Sequence, residues 1–245
     1  MAPYGYQIWD VRRHADLDST NRQAADLARA GAREGVVVVA DHQTAGRGRL
    51  GRTWEAPPGS SLLMTVLLRP ALDPARLHLV TMAVALAAAD ACAEVAGFTP
   101  DLKWPNDLVV EDRKLAGILA EACIEGNAPQ WVVVGIGLNV NWPEEMPPEL
   151  SGIAVAANHL TGGVVDRERL LVHLLDRLAG RYASLGSVAG DYRRRCATIG
   201  RDVRMELPGE TLRGRAVDVD DAGRLLVDTG LTVRAVAVGD VVHVR

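Results

Sequence analysis

Two of the 27 basic residues in this chain are lysines, Lys103 and Lys114, and both fall between Leu102 and Glu121. Every other basic residue is arginine. A lysine carries a compact, mobile point charge that sits well between two anionic groups, whereas a guanidinium is a rigid fork. In so lysine-poor a chain these two residues are candidates for chemistry rather than solubility.

A second candidate lies upstream. In Gln43-Thr-Ala-Gly-Arg-Gly-Arg-Leu-Gly-Arg-Thr-Trp54, Arg47, Arg49 and Arg52 alternate with Gly46, Gly48 and Gly51. Glycine lets backbone approach a ligand and guanidinium grips phosphate or carboxylate. Trp54 offers a flat apolar face. A solvated arginine–glycine linker predicts repetition, but this loop occurs once, bracketed by strand-like segments, so anion binding is the better reading. Lys103-Trp-Pro-Asn-Asp107 gathers a lysine, an amide and a carboxylate around a proline. Asp107 is either a Mg²⁺ contact beside phosphates or an ordinary turn aspartate.

These segments need elements to hold them. Ser19-Thr20-Asn21 supplies N-cap chemistry for a helix ending near Gly31 or Gly35. Val36 to Ala40 and Ser61 to Arg69 read as strands, with a long loop from Asp41 to Ser60 between them. A helix is predicted over Pro74 to Ala96. Leu102 to Trp104, Leu108 to Glu111 and Ala116 to Cys123 are strand-like, turning at Asp112-Arg113. Trp131 to Val140 is an apolar run broken by Gly135 and Gly137, where backbone approaches something closely. Helices are predicted for Arg167 to Leu185 and Val188 to Arg195. After Gly200 five short strands follow, separated by Pro208-Gly209, Asp220 to Gly223 and Gly239-Asp240. Strands and helices do not alternate strictly, which predicts an α+β main domain with a small barrel-like satellite.

Composition narrows the function. A formal charge of −4 argues against a broad basic nucleic-acid surface. Three scattered cysteines form neither a disulfide framework nor a zinc site, and the six histidines have no metal-binding spacing. Cys123 reads as an inert core thiol. The apolar stretch from Leu77 to Ala96 contains Asp90 and Glu94 and suits a core helix better than a membrane span. With no export signal, a cytoplasmic protein is expected. Arg193-Arg194-Arg195 reads as a solvated helix end, or as a contact for an acidic partner.

Five blocks together resemble the biotin protein ligase family. They are Ser19 to Asn21, Gln43 to Trp54, Lys103 to Asp107, Arg113-Lys-Leu-Ala-Gly-Ile-Leu119 and Gly135-Ile-Gly-Leu-Asn139. The resemblance implies a mixed β-sheet with packed helices, like class II aminoacyl-tRNA synthetases and the biotin–lipoate ligase catalytic domain, over residues 1–198. It implies a small SH3-like β-barrel over 199–245.

It also implies a two-step reaction. ATP and biotin, with Mg²⁺, give biotinyl-5′-AMP; biotin then passes to one lysine of a biotin carboxyl carrier domain of an acyl-CoA carboxylase. By the resemblance Lys114 and Arg49 are catalytic, Lys114 lying between the biotin carboxylate and the α-phosphate. Ser19, Thr20, Asn21, Gln43, Gly46, Arg47, Gly48, Arg49, Lys114, Gly117 and Gly135 bind biotin, Gly135 and Gly137 leaving room for ligand. Arg49, Arg52, Trp54, Asn106, Lys114 and Asn139 bind ATP; Asp107, by its own chemistry, stays the candidate metal contact. Lys103 supports its turn from behind. The resemblance further implies a monomer or weak homodimer.

About 18 residues precede Ser19, too few for the three-helix DNA-binding module of repressor members, so no operator binding is expected. Two alternatives remain: a lipoate or octanoate ligase or transferase of the same superfamily, and a non-catalytic RNA-binding module using the arginine loop.

Overall fold

The computed structural model describes residues 9–207, 209–237 and 239–243. Its main unit is a seven-stranded sheet in the order β1-β2-β3-β7-β6-β5-β4. The strands are β1 (Asp10–Leu17), β2 (Val36–Gln43), β3 (Ser61–Leu68), β4 (Asp101–Lys103), β5 (Asp107–Val110), β6 (Arg113–Glu125) and β7 (Ala128–Asn139). Only the edge pair β1–β2 is parallel. A parallel pair needs a crossover, and helix α1 (Thr20–Arg29) supplies it. The strand β1, with the sequence Asp-Val-Arg-Arg-His-Ala-Asp-Leu, lacks an apolar run, which is why sequence reading passes over it.

Both faces of the sheet are covered, and β3 is buried along its whole length. One face, carrying Leu62, Met64 and Val66, meets α2 (His78–Ala96), α4 (Arg167–Ala183) and α5 (Leu185–Arg195). A short helix α3 (Ala157–Thr161) borders it. The opposite face, carrying Val36, Val38, Leu67 and Val133, meets Ala24 and Ala28 of α1. Strands buried on both sides read as unbroken apolar runs rather than alternating ones.

Helix α2 is long and apolar enough to cross a membrane, yet 67% of its apolar window is buried inside the protein. Its two acids are answered across the helix layer. Asp90 receives Arg181 and Arg195, and Glu94 receives His173 and Arg177. Pro74 opens a single 3-10 turn capped by Asp73, and the α-helix proper starts at His78.

The second sheet is antiparallel, ordered β11-β10-β9-β8-β12. Its strands are β8 (Asp202–Leu207), β9 (Glu210–Val219), β10 (Leu225–Asp228), β11 (Val233–Val236) and β12 (Asp240–His243). The expected strand ends at Val238 and Val244 lie outside the described residues. Trp104, 1% exposed, joins the two sheets by donating from Nε1 to the Gly223 carbonyl at 3.0 Å. The arginine run is a solvated helix end only at Arg194. Arg193 binds the Val219 carbonyl and Asp221 of the small sheet, Arg194 pairs with Asp191, and Arg195 reaches Asp90. Arg193 and Arg195 thus join parts of the protein, while Arg194 stays exposed and pairs within its own helix.

Candidate active site

The α1 face of the sheet has a stretch that α1 does not cover. Strand register places Leu63 and Thr65 of β3 beside Gly137 and Gly135 of β7, and these beside Gly117 and Leu119 of β6. Asp107 on β5 continues the Gly117 rung. Because side chains alternate along a strand, all these residues share one face. Three glycines there make a low floor, and one cavity above it is lined by residues from α1, the arginine loop and β5 to β7.

At the α1 end, Ser19, Thr20 and Asn21 are buried. Ser19 occupies the helix N-cap in an extended conformation, but its side chain makes no capping hydrogen bond. The sequence pointed to a cap; the structure puts the hydroxyl residue on the cavity wall. The Thr20 amide donates to Gln43 Oε1 at 2.7 Å. Thr65, a buried polar side chain in the middle of β3, donates to Asn21 Oδ1 at 2.7 Å, and its hydroxyl is 2.8 Å from that of Thr20. A lone threonine in an apolar strand was the signal that could have marked it.

The loop is more ordered than its composition predicts. Strand β2 extends to Gln43, and the loop then folds into a hairpin in which Arg47 bridges Thr53. The Trp54 amide donates to the Gly46 carbonyl, and Gly48 to that of Arg52. A Cβ at Gly46 would lie 2.3 Å from the Trp54 carbonyl oxygen, so this glycine is needed for the hairpin to close. Leu50 at the tip has φ 55°, an uncommon conformation for a branched residue, and is exposed. The first two arginines reach different partners. Arg47 Nη1 is 3.0 Å from Glu121 Oε1, while Arg49 donates to Asn106 Oδ1 and to the Gly239 carbonyl, each at 3.1 Å. Burial, and then the nearby charge of Arg49, push the His78 imidazole below its usual pKa.

Trp54 lies over the floor. A Cβ at Gly137 would come 2.4 Å from its indole, and one at Gly135 would come 1.9 Å from Asn21 Oδ1. The room left by these two glycines, expected for a ligand, is therefore filled by side chains that line the site. The Trp54 Nε1 atom is buried without a partner.

Lys114 stands at the far wall, its Nζ 2.8 Å from Asp107 Oδ1 and 5.6 Å from the centroid of the Trp54 ring. That carboxylate oxygen is buried and accepts no hydrogen bond. The contact is close in distance but badly angled, so it is an ion pair and not a directed bond. The Lys114 backbone is pinned on its other side: its amide donates to Ile153 and its carbonyl accepts from Val155. The segment carrying Ile153 to Val155 gave no sequence signal.

Ser19, Thr20, Asn21, Gln43, Arg47, Gly48, Arg49, Arg52, Trp54, Asn106, Asp107, Lys114, Gly117 and Gly135 thus line one cavity. Gly46 and Asn139 stand outside it. Asn139 is buried and donates from Nδ2 to the Val155 carbonyl, one step behind Lys114, leaving Oδ1 without a partner. Lys103 is also outside, beside His243 at the junction of the two sheets. Among the described residues no cluster of three carboxylate, cysteine or histidine side chains forms a metal cage. Of the cysteines, Cys92 is so deeply buried that its thiol is pushed up to about 12.

A mixed sheet with helices on both faces, an arginine hairpin over a glycine floor and one lysine at its wall make a pocket suited to anionic ligands. Residues 15–139 match the Biotin/lipoate A/B protein ligase family, and residues 198–244 match the Biotin protein ligase C terminal domain. The chain is 40% identical over 242 residues to the biotin--[acetyl-CoA-carboxylase] ligase of Mycobacterium tuberculosis, covering 94% of this chain and 88% of that protein. It is 34% identical over 237 residues to the bifunctional ligase/repressor BirA of Bacillus subtilis, covering 93% and 72%. The solved biotin protein ligase of Aquifex aeolicus, in complex with biotin and ATP, superposes with a TM-score of 0.82 at 27% identity, covering 96% of this chain and 99% of that one. The chain belongs to the biotin protein ligase family.

Proposed function

We propose that this chain is an ATP-dependent, AMP-forming ligase that attaches biotin to a lysine of a biotin carboxyl carrier domain of an acyl-CoA carboxylase. A carboxylate oxygen of biotin attacks the α-phosphorus of ATP and pyrophosphate leaves. The amine of the carrier lysine then attacks the carbonyl of biotinyl-5′-AMP, AMP leaves, and an amide forms. The observation that carries this reading is Lys114, a weakly engaged cation at the wall of a cavity roofed by arginines. Two anions must meet there, and a mobile positive charge between them lowers the cost.

Ser19, Thr20 and Gln43 face the ureido ring, which needs donors and acceptors together, and Asn21 completes that wall. Arg47 and Arg49 close over the adenylate, Arg52 meets phosphate, and Trp54 and Asn106 border the nucleotide. Gly48, Gly117 and Gly135 keep backbone and floor low. Gly46 acts by letting the hairpin close, and Asn139 by bracing Val155 beneath Lys114. Asp107 would hold Mg²⁺ delivered with the ATP phosphates, its buried oxygen lacking a hydrogen bond; that ion neutralises phosphate charge when bound. The closed hairpin keeps the reactive anhydride from water. The two units divide at 198/199, and we take the enzyme to be a cytoplasmic monomer or weak homodimer.

The C-terminal match, to a domain named for biotin protein ligases, favours biotin over lipoate or octanoate. Isotope exchange of pyrophosphate into ATP, run with biotin, lipoate or neither, tests the reading. Exchange should depend on biotin; exchange supported by lipoate instead would overturn it.

A further inference from the structure

The structure assigns to Glu121 a role as a positioning residue that latches the arginine hairpin to the wall of the binding pocket, a role that rests on the proposed function for its substrate. Glu121 lies on β6, and alternation puts it on the same face as Gly117 and Leu119. Its two carboxylate oxygens go to different elements. Oε1 is 3.0 Å from Arg47 Nη1 of the hairpin, and Oε2 accepts from Asn21 Nδ2 of α1 at 2.9 Å.

The second contact fixes the orientation of a whole side chain. Asn21 Nδ2 also donates to the Leu119 carbonyl at 3.1 Å, and Oδ1 accepts from Thr65 at 2.7 Å. Both amide protons face acceptors, so a flipped carboxamide would turn its oxygen against the Leu119 carbonyl and the Glu121 carboxylate and lose both bonds, keeping at most the one to the Thr65 hydroxyl. Beyond Thr65 the contacts run through Thr20 to Gln43, the residue that leads into the hairpin. A continuous polar chain therefore leaves the hairpin at Arg47, crosses the pocket wall and returns to its stem at Gln43. Glu121 is the one anion in that chain, and it touches neither Lys114 nor Asp107. It acts through Arg47 and Asn21.

The Glu121 side chain is 32% exposed and that of Arg47 is 50% exposed. An ion pair in contact with water contributes modestly, so the expected effect is a shift in binding and retention, with the chemical step spared. In Glu121→Ala the biotin KM of pyrophosphate exchange should rise about five- to tenfold, while kcat at saturating biotin stays within about threefold. Biotinyl-adenylate should escape faster by a similar factor. Glu121→Gln, with one acceptor oxygen instead of two, should fall between. Because one arm of the latch works through Arg47, Arg47→Ala combined with Glu121→Ala should speed adenylate release by less than the product of the two single effects. A readout independent of activity is tryptic cleavage of the ligand-free chain, which in Glu121→Ala should accelerate after Arg47, Arg49 or Arg52 while cleavage elsewhere in the chain keeps the parent's rate. Parent-like KM and release in Glu121→Ala, additive effects in the double variant, or unchanged cleavage overturns the latch. Absence of biotin-dependent exchange in the parent sinks the proposed function instead, and the cleavage experiment still decides whether Glu121 holds the hairpin.

Discussion

Lys114 Nζ lies 2.8 Å from Asp107 Oδ1, yet that buried oxygen accepts no hydrogen bond. The pair is attracted but not locked. With 37% of its side chain exposed, Lys114 keeps a charge that an incoming anion can recruit without first breaking a directed bond. The aspartate holds the cation at the pocket wall, and the Trp54 ring at 5.6 Å adds a second weak hold.

Removing that cation should strike chemistry harder than binding. Lys114→Ala is expected to slow biotin adenylation by about 10²- to 10³-fold, the usual effect of deleting one charge-stabilising donor, while biotin affinity falls much less. Lys114→Arg should not restore the rate, because a planar fork does not replace a point charge between two anions. Single-turnover adenylation with radiolabelled ATP decides the matter; a near-normal rate in Lys114→Ala would reduce the lysine to a solvated surface group.

The three floor glycines rank themselves by what a methyl group would meet. At Gly135 a Cβ falls 1.9 Å from the Asn21 carboxamide, which is buried and held by three hydrogen bonds. At Gly137 it falls 2.4 Å from the Trp54 indole, and at Gly117 3.0 Å from the flexible end of Lys114 and the edge of Trp54. Gly135→Ala should destabilise by about 1–3 kcal/mol, as overpacking does, and should lose biotin binding. Gly137→Ala should leave the melting temperature nearly intact but displace Trp54 and weaken ligand binding. Gly117→Ala should be mildest. Thermal melts with and without biotin test the order, and a Gly117→Ala variant worse than Gly135→Ala would contradict the packing described here.

Much of this was legible in the sequence because function here is carried by short blocks with unusual composition. Lys114 and the arginine hairpin stand out by residue type alone, and the small sheet by its turn residues. What escaped has physical reasons. Strand β1 is a charged edge strand without an apolar pattern. Glu121 and Thr65 act through register across strands, and register is not written in either strand alone. The strap at Ile153 to Val155 looks like loop and is held by backbone bonds to Lys114, which any sequence could make. The arginine run misled because its partners, Asp90 and Asp221, are distant in sequence.

Arg49 ties the hairpin to both units, through Asn106 beside the cavity and the Gly239 carbonyl of the small sheet. Arg49→Gly should cut both ties. The adenylate is then expected to escape and to label lysines of bystander proteins indiscriminately, while adenylate formation persists. Mass spectrometry of an added lysine-rich protein checks this; retention as tight as in the parent would remove Arg49 from the clamp.

A last prediction concerns the junction of the two sheets, away from the chemistry. The His243 side chain is 10% exposed and its Nε2 lies 3.2 Å from the Thr198 hydroxyl. Burial, and then the charges of Lys103 and Arg201, push its pKa down to about 4, Asp112 opposing them weakly. In the unfolded chain the same imidazole titrates near 6.5. Between those two values the unfolded state binds more protons than the folded one, so acid favours unfolding. The stability that His243 supports as a neutral ring is fully present above about pH 6.5 and is lost as pH falls toward 4. The loss is on the order of 1–3 kcal/mol for a shift of this size. His243→Gln cannot titrate, so it should flatten the fall of the melting temperature between pH 7 and pH 4.5 relative to the parent. Carboxylates that titrate in the same range are common to both proteins and cancel in the difference. Parallel melting curves for parent and variant across that range would show that His243 charges in the folded protein as easily as in the unfolded one, and that the junction tolerates a third positive charge beside Lys103 and Arg201.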